Sequence, residues 1–129
     1  MTALQNALYA FWASFGVPAW SQDTVPEDAE LPYITFEVVS GDALSSTITG
    51  ATLWLRDLED GTSVNQRRAA VMDRIAEAVP PSGARLDAGK SGYLMLYRNG
   101  GNFQRNVQDP EDRKVVGGRT TLEVHFYLT

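Results

Sequence analysis

Leu4, Leu8, Phe11 and Phe15 recur at three- and four-residue spacing near the start of the chain, the period of a helix with one apolar stripe. Thr2 stands where a cap is needed, and Gly16 and Pro18 stand where a helix must stop. The pattern therefore predicts a helix over residues 3–15, with Gly16 as its C′ residue. Burying the four stripe residues would contribute on the order of 6–12 kcal/mol before the opposing conformational entropy. Tyr9 and Trp12 widen the stripe. Residues 21–30 are polar and acidic around Pro26 and predict a loop. Beyond it the period changes from 3.6 to 2. Ile34, Phe36 and Val38 alternate with Tyr33, Thr35, Glu37 and Val39, as in a half-buried strand entered in extended conformation through Pro32. Gly41-Asp42 makes a turn. Residues 44–56 are rich in Thr and β-branched side chains and form a second strand, with Gly50 as a bulge. The two strands should pair as an antiparallel hairpin.

Helical spacing then returns. Ser63-Val64-Asn65-Gln66 has the form of a capping box. Val64, Val71, Ile75 and Ala78 make the stripe of a helix that Pro80-Pro81 ends near Val79. Arg67, Arg68 and Arg74 lie off that stripe, as solvated charges by default. Residues 84–87 and 93–98 read as strands around a turn at residues 89–92. The chain closes on a strand over residues 119–128, where Leu122, Val124, Phe126 and Leu128 alternate with Glu123, His125 and Tyr127. Between these last strands, residues 99–118 hold only four large apolar side chains in twenty positions. A connection that long is uncommon without structure of its own. Asp109-Pro110-Glu111-Asp112 has type I turn chemistry, so Val107-Gln108 should pair with Lys114-Val115-Val116 as a projecting hairpin arm. The expected fold is one α+β domain over residues 1–129. Its mostly antiparallel sheet of about four to six strands is packed by two helices and carries that arm.

Charge changes this picture more than composition does. The net charge is −5 over 129 residues. Residues 1–62 carry one Arg and nine acids, −8; residues 63–129 carry ten Lys/Arg and seven acids, +3. An acidic chain is poorly suited to wrapping nucleic acid. Its two halves could meet between neighbouring copies, and head-to-tail contacts of that kind close into rings. The simpler alternative is that the halves mix in space on folding. The chain has no cysteine, which excludes disulfides and Cys-based zinc sites and fits folding in the cytosol. The apolar stretch at residues 7–20 is too short to span a bilayer, and no Lys or Arg precedes it as in a signal peptide.

Candidate chemistry is sparse. Gly89-Lys90-Ser91 matches the end of a P-loop, but Ala84 stands where its first glycine belongs, and a strand rather than a helix follows. His125, the only histidine, falls opposite the apolar face of its strand and has no identifiable nucleophile beside it. Asp57, Glu59 and Asp60 do not have the spacing of a calcium loop and read as an acidic surface patch. No enzyme, metal or cofactor is expected.

Several of these patterns together resemble the tail terminator and tail completion (head-tail joining) proteins of long-tailed bacteriophages. They are the N-terminal helix ending at Phe15-Gly16, the strand Leu31-Pro32-Tyr33-Ile34-Thr35-Phe36-Glu37, and the Trp54 strand followed by a capped helix. Tyr97-Arg98-Asn99-Gly100 leading into Phe103-Gln104-Arg105, and the closing turn and strand, complete the likeness. It covers nearly the whole chain in element order, without one diagnostic motif. The resemblance implies a structural virion protein forming a ring, usually of six copies, at the head-proximal end of the tail tube. Such a ring stops tube polymerisation, contacts the tail tube protein and the neck or head-completion protein, and lets DNA pass without specific binding. It implies no membrane. The expected protein-interface residues are Arg98, Asn99, Phe103, Arg105, Asp109, Glu111, Asp112, Arg113 and Lys114. Asp57, Glu59 and Asp60 are expected to form an acidic lumen or a ring contact. A neck or head-closure connector is the nearest alternative reading; a small soluble enzyme or a ligand-binding domain is the distant one.

Overall fold

A computed structural model describes residues 2–39, 46–58 and 63–128. The first helix, α1 (Ala3–Trp12), starts at a full capping box. The Gln5 N–H donates to Thr2 Oγ1, and Gln5 Oε1 accepts from the Thr2 N–H. Its end comes earlier than the stripe predicts, at Ala13, and Gly16 takes a left-handed φ of 84° beyond it. Phe15 is still buried, from the turn after the helix. Trp12 is wholly buried, in edge-to-face contact with Phe11.

The strands are β1 (Ala19–Ser21), β2 (Tyr33–Phe36), β3 (Ser46–Arg56), β4 (Ala84–Asp87), β5 (Gly92–Arg98), β6 (Gln104–Gln108) and β7 (Val115–Leu128). The second helix, α2 (Val64–Ala78), lies between β3 and β4 in the chain. Its Ser63 hydroxyl accepts from the Gln66 N–H, one half of the expected capping box. The fold is α+β, with a seven-stranded sheet in the order β1-β2-β3-β7-β5-β4 and β6 also paired with β7. All pairings are antiparallel except β1 with β2. The hairpin of β2 and β3 is as expected. The loop expected from residue 21 in fact follows a short strand: β1 supplies the seventh strand, and three residues are too few to show an alternation in sequence.

Register fixes which side chains reach the core. Phe126, Val124 and Leu122 of β7 align with Leu94, Leu96 and Arg98 of β5. Thr49, Ala51 and Leu53 of β3 align with Leu122, Thr120 and Gly118. Apart from Arg98, all of these are buried, on the face that α1 and α2 cover. Val71, Met72 and Ile75 are the buried residues of α2, while Val64 and Ala78 are only partly covered. Gly50 forms no bulge, because β3 and β7 pair without interruption from Ser46↔His125 to Arg56↔Val115. The glycine is needed for clearance instead: a Cβ there would lie 2.5 Å from the Thr120 carbonyl oxygen.

The expected arm is corrected by β7. This strand starts at Val115, four residues before the sequence pattern indicates. Its edge away from β6 is bonded to β3 as far as Arg56↔Val115. β6 and β7 are indeed a hairpin, with Val107↔Gly117 and Gln108↔Val116. The hairpin is laid into the sheet, and β6 continues the line of β5 along one side of β7.

Candidate functional site

Because both helices pack on one face of the sheet, the odd-numbered positions of β5 and β7 lie on the other. That face carries two groups of large side chains. At one end Tyr93 and Tyr127 stack with centroids 4.8 Å apart, and the Arg85 guanidinium lies 3.8 Å over Tyr93. Tyr97 meets His125 edge-on, and His125 Nε2 is 3.1 Å from Glu123 Oε1. Ile48, in the adjoining β3 row, is 61% exposed and Tyr127 is 42% exposed. At the other end Trp54 lies over Gly117, where a Cβ would come 3.0 Å from the indole, and its Nε1 donates to Thr35 Oγ1. Between the groups, Arg119 crosses Gly50 to reach Glu37 at 2.5 Å. Side-chain bulk at Gly50 would block that crossing.

This aromatic face was not singled out from sequence, although the signal was present. Tyr93, Met95, Tyr97 and Tyr127 are apolar residues at the positions an alternating strand gives to solvent. His125 does lie on that face, as its place in the strand predicts.

The structure divides the expected interface residues into three sets. Arg98, Asn99 and Phe103 form an internal joint. Arg98 lies on the core side of β5, where its Nε donates to Val79 O at 2.6 Å and its Nη2 to Ala76 O at 2.9 Å. Its guanidinium covers the Phe103 ring. Asn99 opens a turn of 3-10 helix, and its N–H donates to Thr121 O. Asp109 and Asp112 build the hairpin turn: Asp109 Oδ1 accepts from the Glu111 N–H, and Asp112 Oδ1 from the Lys114 N–H. Arg105, Glu111, Arg113 and Lys114 form the exposed set. Of the three acids expected to act together, Asp57 is half-buried, and its N–H donates to Lys114 O; Glu59 and Asp60 lie outside the described residues.

The turn is tied to β3, the strand on the other side of β7 from β6, where Arg56 Nη1 is 3.1 Å from Asp112 Oδ2. The Lys114 N–H, and then the Arg56 guanidinium, hold the Asp112 carboxyl below its ordinary value of 3.8. A carboxyl with a depressed folded pKa stabilises the fold above its unfolded value and loses that contribution as pH falls through the folded one. Asp112→Asn is therefore expected to lower stability slightly at neutral pH and to remove part of the acid sensitivity below pH ~4. Comparing urea midpoints of the two proteins across that range checks this.

A cleft of about 480 Å³ separates α2 from β6, lined on the helix by Asn65, Arg68, Met72 and Asp73 and on the strand by Gln104, Arg105 and Asn106. Gln104 Nε2 spans its floor to Met72 O. A smaller apolar hollow lies between Tyr9 and Phe36. Among the described residues no group of three or more His, Cys, Asp or Glu is placed to hold a metal ion. Residues 89–91 form one 3-10 turn leading directly into β5, so no long helix presents its N-terminus there. No described helix is long and apolar enough to cross a membrane. Comparison with protein-family models, with curated proteins and with solved structures finds no match.

Proposed function

We propose that the protein is a structural virion subunit that forms a ring, of six copies as in the family it resembles, on the head-proximal end of a phage tail tube. There it stops tube growth and provides the joint to the neck. The observation that carries this reading is the uncovered sheet face, where Tyr127 is exposed in the Arg85–Tyr93–Tyr127 stack and Ile48 is exposed in the row of Glu123 and Tyr97. Exposed apolar side chains gathered on a rigid sheet suit contact with another protein. The turn residues Glu111, Arg113 and Lys114 offer a second surface, at the end of the sheet away from Tyr127, so one subunit can meet a tube on one side and a neck on the other. The carboxylates of Asp57, Glu59 and Asp60 would line the passage and repel DNA phosphates.

Electron microscopy of tails assembled with and without the protein tests the reading. Uncapped tubes of uncontrolled length are expected in its absence; capped tails of normal length would overturn it. Imaging its position separates a tube cap from a neck connector on the portal side. Reversing the charges of Asp57, Glu59 and Asp60 should reduce DNA delivery, and unchanged infectivity would remove the lumen assignment alone.

A further inference from the structure

The outer edge of β6 is an unfinished sheet. The Thr121 N–H donates to Phe103 O and the Asp109 N–H to Val115 O. With the register Arg105↔Arg119 and Val107↔Gly117, the odd residues of β6 turn their backbone groups toward β7. The N–H and C=O groups of Gln104, Asn106 and Gln108 therefore point the other way, into the opening beside α2. No described strand pairs with β6 there. At the opposite end of the sheet, β1 is bonded only to β2, so it too has an open side.

The two edges also differ in charge. Residues 22–30, directly after β1, carry Asp23, Glu27, Asp28 and Glu30 and no basic residue. All four are exposed and have no ion pair among the described residues. At the β6 edge, Arg68 is bound to Asn65 Oδ1 and Gly117 O but to no carboxylate. Arg105 is exposed with no charged partner among the described residues. Asp73 leaves the cleft with a single net positive charge.

We propose that the β6 edge and the α2 face beside it receive residues 19–30 of a second copy of this chain. The extended backbone of β1 (Ala19–Ser21) would add to Gln104, Asn106 and Gln108, and the carboxylates on the turns that follow it would lie against Arg68 and Arg105. The joined edges are opposite edges of the sheet, so the contact is head-to-tail and can close into a ring. This deepens the ring reading above and rests on it.

The absence of cysteine makes the contact testable by engineered disulfides. Thr24→Cys and Asn106→Cys chains, oxidised as an equal mixture, are expected to form a covalent dimer that neither chain forms alone. Arg105→Glu in the Asn106→Cys chain should lower that yield about tenfold, and Glu27→Arg with Asp28→Arg in the other chain should restore it. Dimers formed equally by one chain alone would overturn the head-to-tail contact. No dimer from the mixture would overturn the docking site, leaving Arg105 as a guard against edge pairing. Imaging the unmodified protein on tails separates the two readings. Caps of the unmodified protein together with no cross-link in the cysteine mixture sink only this interface, whereas tails that never carry the protein sink the ring itself.

Discussion

Arg98→Met is expected to lower the unfolding free energy by about 2–4 kcal/mol, although the residue is polar and lies in a segment that reads as surface. The loss has three physical sources. Nε and Nη2 donate to Val79 O and Ala76 O, carbonyls at the C-terminal end of α2. Ala76 O otherwise accepts only a long 3.3 Å bond from the Val79 N–H among the described residues, and a helix C-terminus favours a cation. Methionine would fill much of the same volume while leaving both acceptors poorly solvated. The guanidinium also sits 4.6 Å from the Phe103 ring centroid, a contact that thioether only partly replaces. Arg98→Lys supplies one charged donor where two fixed ones are needed, so it should recover less than half of the loss. Urea unfolding of the three proteins decides the matter. If Arg98→Met were as stable as the parent but failed to assemble, Arg98 would belong to an interface after all.

Arg98 also shows where sequence reasoning stops. Leu94, Leu96 and Arg98 share one strand parity, so period-2 alternation places all three on the same face. Nothing local says that the third will meet the end of a helix rather than water. That follows from the C-terminal end of α2, which packs over β7 and β3, coming to rest beside Arg98, a tertiary fact. The apolar stripes and alternations of α1, β2, β5 and β7 were legible because burying one face imposes a period on the chain. The seating of β6 was not, since Gln104, Arg105, Asn106 and Gln108 are polar on both faces. A polar strand at a sheet edge has no alternation to read, and its turn chemistry was the only visible sign. Turn chemistry identifies a hairpin but not whether it projects; β3, bonded along the far side of β7, decides that. The same gap hid the α2–β6 cleft, whose two walls are separated by some thirty residues of chain and become neighbours only through the sheet order.

Gly92→Ala is expected to cost more than about 3 kcal/mol, while Gly89→Ala, three residues earlier, should cost about 1 kcal/mol. Both glycines have positive φ, but the space around them differs. Gly89 has φ 62°, a left-handed conformation that other residues can adopt at modest cost, and a Cβ there meets nothing within 4 Å. Gly92 has φ 121° and ψ −146°, a region that is nearly closed to residues with a Cβ. That Cβ would also overlap the Tyr127 carbonyl oxygen and come within 3.0 Å of Leu128 Cα. These are backbone atoms of the paired strand, so no side-chain rotation relieves the clash. Alanine must either push β5 away from the end of β7 or move the turn that feeds it. The first response would separate Tyr93 from Tyr127, which are paired in the row next to Gly92↔Leu128. The open face would then lose its aromatic stack as well as stability. Urea midpoints give the stability difference between the two alanine variants, and near-ultraviolet circular dichroism follows the tyrosine pair. Equal costs at both glycines would mean that the end of β7 yields easily and that the Tyr93–Tyr127 stack is not held in place by the strand pairing beneath it.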